Sequence, residues 1–69
     1  MKVVTEVAGK VWKLEAQAGA QLAADDTILI MESMKMEIPV VAPRAGRLAE
    51  LRVKEGDALN EGDVVAVME

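Results

Sequence analysis

Short apolar segments separated by turn-forming residues recur along the whole chain. Four of them are V-V at 3–4, I-L-I-M at 28–31, I-P-V-V at 38–41 and V-V-A-V-M at 64–68. Such runs of aliphatic and β-branched residues are typical of short strands. The glycines and aspartates between them accept the backbone angles of tight turns. The pattern predicts an all-β chain of short strands.

Two longer segments, K-V-W-K-L-E-A at 10–16 and R-L-A-E-L-R-V at 47–53, carry apolar residues that are spaced by three positions and then by two. A regular strand alternates strictly, so this spacing predicts one β-bulge in each segment. Tight turns are expected where glycine and aspartate cluster, at Gly19-Ala20, Gly56-Asp57, Asp25-Asp26 and Gly62-Asp63.

The chain repeats itself. When residues 1–32 are placed on residues 38–69, a shift of 37 positions, ten of the 32 pairs are identical, and the matches fall on turn glycines and apolar positions. This composition would give about three identities in one register by chance. Each half therefore represents one supersecondary unit, and a pseudo-twofold axis is expected to pass close to Lys35, which has 34 residues on either side.

Neither half is large enough to bury an apolar face alone. Eight short strands in two matched sets of four suit a flattened barrel or a sandwich in which the halves intertwine around one shared core. We expect one domain over residues 1–69.

The segment S-M-K-M-E at 33–37 joins the halves and has no counterpart in the repeat. Its residues favour helix by intrinsic propensity. Any helix would have to end before Pro39, and strand segments flank it on both sides. We therefore predict a hairpin turn centred on Lys35.

Composition excludes several classes of function. The chain has no cysteine and no histidine, so disulfides, thiolate or imidazole metal sites and Ser–His or Cys–His nucleophile pairs are impossible. A net charge of −4, scattered basic residues and a single aromatic, Trp12, argue against nucleic-acid binding. No apolar run is long enough to span a membrane and no export signal is visible, so a cytoplasmic protein is expected.

Lys35 is the candidate functional residue because of its neighbours. Met34 and Met36 occupy a predicted turn, where glycine, asparagine, aspartate or serine is usual. Exposed methionines there contribute nothing to a core, but methionine makes an adaptable contact surface for another protein. An amine between them suits modification by a visiting enzyme. Glu32 and Glu37 are better explained as solubilising charges than as an acid–base pair.

One segment partly matches the pattern of a calcium-binding loop. The segment D-A-L-N-E-G-D at 57–63 has a glycine at the sixth position, but Leu59 and Met68 stand where calcium ligands are required. No metal site is predicted.

The stretch E-S-M-K-M-E at 32–37 resembles the biotin-attachment motif of biotinyl domains, the biotin carboxyl carriers of biotin-dependent carboxylases. The likeness extends to A-P-R-A-G at 42–46, V-K-E-G-D at 53–57 and N-E-G-D-V-V at 60–65. The chain is also similar to short bacterial biotin/lipoyl attachment proteins. The resemblance implies a flattened β-barrel (a barrel-sandwich hybrid) of two four-stranded antiparallel sheets, with the modified lysine at a hairpin tip.

The resemblance also implies the function. A biotin protein ligase would attach biotin to Lys35, with Glu32, Ser33, Met34 and Met36 as its recognition residues. The biotin arm would carry carboxyl groups between the active sites of a biotin carboxylase and a carboxyltransferase. The ε-amine reacts as the neutral base, so the ligase must supply the activation, and the chain itself needs no catalytic residue.

Two alternatives stay open. A lipoyl carrier of a 2-oxo-acid dehydrogenase complex has the same fold, but its lysine typically follows aspartate and precedes alanine. The other alternative is a barrel-sandwich interaction module whose lysine is never modified. The methionine flanks of Lys35 favour biotin over both.

Overall fold

The computed structural model of the protein describes residues 1–69 and contains eight β-strands and no helix. The strands are β1 (Lys2–Val4), β2 (Gly9–Leu14), β3 (Gln21–Leu22), β4 (Thr27–Ser33), β5 (Met36–Val41), β6 (Gly46–Leu51), β7 (Ala58–Leu59) and β8 (Val64–Met68). No helix is present that is long and apolar enough to cross a membrane.

The strands form two four-stranded sheets, in the orders β1-β8-β6-β3 and β5-β4-β2-β7, and every pairing is antiparallel. Each sheet takes two strands from each half of the chain. The halves therefore intertwine, and the predicted all-β architecture of two four-stranded antiparallel sheets is confirmed.

The predicted repeat is visible in the topology. Adding four to each strand number converts the order of the first sheet into that of the second, with β5 to β8 followed by β1 to β4. Loop hydrogen bonds repeat as well: the Gly19 amide donates to the Leu48 carbonyl at 2.6 Å, and the Gly56 amide donates to the Val11 carbonyl at 2.7 Å. Both pairs obey the 37-residue shift, so the two halves share their turns as well as their strands. The shift relates the β4–β5 hairpin to the β8–β1 pair of the chain termini. The pseudo-twofold axis therefore passes between the equivalent residues Val4 and Val41, which line one groove, and not close to Lys35 as predicted.

One apolar core lies between the sheets and takes side chains from both halves. Its largest fully enclosed members are Ile28, Leu29, Met31, Leu48, Met68, Val11 and Val65, with Thr5 as the one buried polar residue. Thr5 has its hydrogen-bonding needs met inside the core, as buried polar groups require: its hydroxyl lies 2.9 Å from both the Val7 carbonyl and Met31 Sδ.

The predicted bulges are confirmed. The register of β2 with β4 shifts around Trp12, and that of β6 with β8 shifts around the equivalent Ala49. Two further shifts, around Ile28 and Val65, also form an equivalent pair, and the apolar spacing did not predict them. The bulges tighten the strand twist that lets two small sheets wrap one core.

The turn predictions are confirmed, with positive φ at Gly19, Asp25, Gly56 and Gly62. Of the segments 10–16 and 47–53, in which bulges were expected, the last two residues lie outside the strands: β2 ends at Leu14 and β6 at Leu51. The chain leaves the ladder there to reach the turns at Gly19 and Gly56, both of which have positive φ. The pattern implied eight strands but did not locate the two-residue β3 and β7.

Candidate functional site at the hairpin tip

The candidate site is the turn between β4 and β5. Ser33 pairs with Met36, and the two residues between them, Met34 and Lys35, have φ angles of 51° and 64°. Two consecutive residues with positive φ in a two-residue loop make a type I′ turn, whose twist matches that of a hairpin. The predicted hairpin is therefore confirmed, although its turn consists of Met34 and Lys35, and Met36 already belongs to β5. The pairing overrides the helical propensity of this segment.

The Lys35 amine projects into solvent. The residue is exposed, and its Nζ forms no ion pair or hydrogen bond with the rest of the chain. Met34 is 90% exposed and Met36 63% exposed, the two most exposed large apolar side chains of the protein. The tip thus presents a free amine between two flexible thioether side chains.

The base of the hairpin is anchored in the core. Met31 is fully buried in β4 and packs two residues before Ser33, and its Sδ lies 2.9 Å from the Thr5 hydroxyl. Thr5 also holds the loop that follows β1, because its Oγ1 accepts the Val7 amide at 3.2 Å. A mobile lysine side chain therefore stands on a fixed backbone. Sequence reasoning missed Thr5, and its only signal was a polar residue opposite Ala42 in the repeat.

Gly9 permits a close approach behind the tip. A Cβ built on Gly9 would lie 2.5 Å from the Glu32 carbonyl oxygen and 3.2 Å from Ser33 Cβ. Only glycine fits there, so β2 can lie against β4 up to the last residues of the hairpin. The repeat marked this glycine as a turn residue, but its contact with the hairpin was not predicted.

The four predicted recognition residues gather at the tip. Glu32, Met34 and Met36 are exposed, and Ser33 is half-buried. Glu32 stands directly opposite Glu37 on β5, which is unfavourable for like charges, and opposite Lys10 on β2, which offsets part of that repulsion. All these groups lie within a few residues of Lys35, so one partner surface can contact them together.

The chemistry available at the tip is that of a nucleophilic amine. No group of three or more His, Cys, Asp or Glu side chains is arranged to hold a metal ion. Glu32 and Glu37 are exposed carboxylates, and neither forms a hydrogen bond with Lys35. Acylation of the amine would give an amide, which removes the charge and extends the side chain further into solvent.

Comparison with known proteins agrees with this geometry. Residues 1–68 match the model of the biotin/lipoyl family, described as "Biotin-requiring enzyme". The chain is 49% identical to the Biotin/lipoyl attachment protein of Bacillus subtilis over 94% of its own length and 89% of that protein. It is 37% identical to the Urea amidolyase of Saccharomyces cerevisiae, over 97% of this chain and 4% of the relative.

The same architecture occurs in a solved structure. The urea carboxylase of Kluyveromyces lactis superposes with a TM-score of 0.95 and 35% identity, over all of this chain and 6% of the larger one. A unit of this size and fold thus occurs both as a short protein and as a small part of large enzymes.

Proposed function

This chain belongs to the biotin/lipoyl attachment family, and we propose that Lys35 is the residue through which it carries biotin. It is a biotin carrier domain, homologous to those of urea carboxylase and related enzymes. The observation that carries the assignment to Lys35 is its position: a free amine at the end of a two-residue turn, between two exposed methionines.

The residues at the tip fit this group. Attachment requires an amine that an activating enzyme can reach from several directions, and the exposed Lys35 is such an amine. When bound, biotin supplies a ureido nitrogen that accepts and releases a carboxyl group. The chain's own part is to hold the lysine backbone fixed and to keep the amine away from its core.

A biotin protein ligase is the proposed modifying partner. Met34 and Met36 offer it adaptable apolar contacts on both sides of the amine, and Glu32 and Ser33 offer polar contacts at the base of the turn. The turn is already ordered before the ligase binds. Recognition of its shape therefore costs little conformational entropy.

The other proposed partners are a biotin carboxylase and a carboxyltransferase. A tethered group reaches two active sites at a high effective concentration, provided that its support is small and stiff. The domain measures 30 × 17 × 17 Å, with the hairpin clamped by the core. We assign it no catalytic residue: the carboxylase components would perform the chemistry, and their acceptor substrate is set outside this chain.

A lipoyl carrier is the second candidate, since the family includes both groups. The methionines flanking Lys35 favour biotin, because the lipoyl motif places aspartate and alanine there. Co-expression with a biotin protein ligase, followed by intact-mass measurement, distinguishes the candidates. We expect a mass increase of one biotinyl group. A lipoyl adduct in cells that supply both cofactors would support the alternative, and no adduct would contradict both.

A further inference from the structure

An apolar groove lies beside β5, the second strand of the hairpin. It has a volume of about 200 Å³ and lies between β5 and the segment that leaves β1. Its lining residues are Val4, Thr5, Glu6, Val7, Ile38, Pro39, Val40 and Val41. Such a volume is below the roughly 300–1,000 Å³ of sites for drug-sized ligands, so it suits one small ring system.

The groove lies within reach of Lys35. A strand rises about 3.3 Å per residue, so Ile38 and Pro39 lie about 10–13 Å along β5 from the tip. A lysine side chain joined through an amide to a five-carbon acyl chain has about eleven bonds between its Cα and the ring, and bonds of roughly 1.5 Å in a zigzag span about 14 Å. The arm can fold back over Ile38 without any change in the backbone.

The exposed edge of β5 offers acceptors but lacks a central donor. The turn makes Ser33–Met36 a hydrogen-bonded pair, and such pairs alternate with non-bonded ones along an antiparallel ladder. Pro39, opposite Ile30, falls on a non-bonded pair, so its ring nitrogen and its carbonyl face away from β4. This edge is a poor template for an added peptide strand, but its carbonyls and the exposed Glu6 carboxylate suit a ligand with N–H donors.

The equivalent region at the opposite end of the molecule, which bears the chain termini, is crossed by a side-chain contact. The 37-residue shift relates Ile38 and Val7 to Met1 and Arg44, and there the Arg44 Nε donates to Met1 Sδ at 3.2 Å. At the hairpin pole no such bridge crosses between Val7 and Ile38, and both residues are only half-buried. The groove is thus open at the end that bears the lysine.

We propose that this groove is a resting site for the ureido-containing ring of biotin attached to Lys35 of the same chain. The inference rests on the proposed function. The ring packs on Val7 and Ile38, and its ureido N–H groups donate to acceptors along the β5 edge. Docking is reversible, because the arm must leave to reach a partner's active site. The groove would shield the ring from solvent and from unproductive encounters.

Methyl and amide NMR spectra of the protein, before and after ligase-catalysed biotinylation, test the proposal. Intact mass first establishes that one biotin is attached. We then expect shifts of the Val4, Val7 and Ile38 methyl signals and nuclear Overhauser effects between ring protons of biotin and Ile38. Leu51 and Leu59, which lie outside the groove, should not shift.

Two matched variants complete the test. Val4, 44% exposed, lines the groove, whereas Trp12, 49% exposed, lies outside it. Val4→Lys should at least halve the groove shifts, and Trp12→Lys should leave them unchanged. Shifts confined to residues 33–36 in the biotinylated protein, or groove shifts that Val4→Lys does not reduce, would overturn the resting site alone. Absence of any biotin adduct would overturn the proposed function and, with it, the resting site.

Discussion

Met34 and Lys35 both occupy the left-handed region, which costs non-glycine residues roughly 1–2 kcal/mol each. Asparagine and glycine would form the same turn with less strain. Neither methionine nor lysine returns that energy through packing, since Met34 is almost fully exposed. Strain of this kind persists where the surroundings enforce it and function uses it. Here the long paired strands enforce the turn.

Substituting the two methionines by glycine should therefore change stability in opposite directions. Met34→Gly removes a left-handed side chain and should raise the free energy of unfolding by about 0.5–1 kcal/mol. Met36→Gly lies in β5 and should lower it by a similar amount, because glycine weakens a strand. Thermal unfolding measures both, and equal shifts of the same sign would show that the turn is unstrained.

Gly9 and Gly46 are equivalent in the repeat but differ in their surroundings. A Cβ on Gly9 would meet the Glu32 backbone at 2.5 Å, whereas one on Gly46 would meet the flexible end of Met68 at 3.3 Å. We expect Gly9→Ala to cost about 1–3 kcal/mol, as overpacking does, and to shift the amide signals of the hairpin.

Gly46→Ala is the matched control and should cost less than about 1 kcal/mol. Chemical denaturation compares the two variants directly. Equal costs would mean that the close approach of β2 to the hairpin is unimportant.

At the scale of elements, strand pairing overrides the local conformational propensity of the hairpin segment. The M-E-S-M-K-M-E segment favours helix by composition, yet it forms the end of β4, a turn and the start of β5. β4 is paired by β2 over residues 29–32 and by β5 almost along its whole length, which outweighs the helical preference of an exposed tip. The hairpin could be predicted from the sequence because apolar strand segments flank the tip and because any helix would have to end before Pro39.

Substitutions at Gly56 measure the backbone cost of a turn separately from any packing cost. Gly56 has a φ of +92°, and a Cβ there would meet nothing within 4 Å. Any cost of substitution is then a backbone cost. Gly56→Val should lower the free energy of unfolding by at least about 1 kcal/mol, because a β-branched residue avoids positive φ.

Gly56→Asn should cost markedly less, since asparagine tolerates the left-handed region. Urea denaturation of the two variants provides the comparison. If valine and asparagine were equally tolerated, the turn would not require positive φ in solution.

At the scale of the molecule, each half depends on the other. Pairings within one half are limited to β2 with β4 and β6 with β8, while the other four pairings join the two halves. Peptides 1–34 and 35–69 should each lack a β-sheet circular dichroism spectrum alone, and mixing them should restore it. A folded isolated half would contradict the intertwined arrangement.

The repeat explains why so much of the fold was predictable. Because glycines, bulge spacings and apolar segments recur in both halves, most elements were indicated twice, and together they predicted a flattened barrel or sandwich of eight short strands. The arrangement as two four-stranded sheets was what the resemblance to biotinyl domains implied. Two-residue strands such as β7 carry no periodicity, and the contacts of Thr5 and Gly9 depend on segments distant in sequence. The functional residues of the tip could be identified from the sequence because methionine is unusual at a turn, where it is exposed and contributes nothing to a core. The groove could not be predicted, because it forms only where the segment that leaves β1 approaches β5 in the folded chain.

The central claim is that Lys35, and no other lysine, receives biotin. Lys35→Arg and Lys54→Arg should be co-expressed with a biotin protein ligase and compared by intact mass and melting temperature. We predict that Lys54→Arg gains one biotinyl group, whereas Lys35→Arg gains none and melts within a degree or two of the unsubstituted protein, as expected for an exposed residue. A biotinylated Lys35→Arg protein, or one that unfolds, would contradict the account.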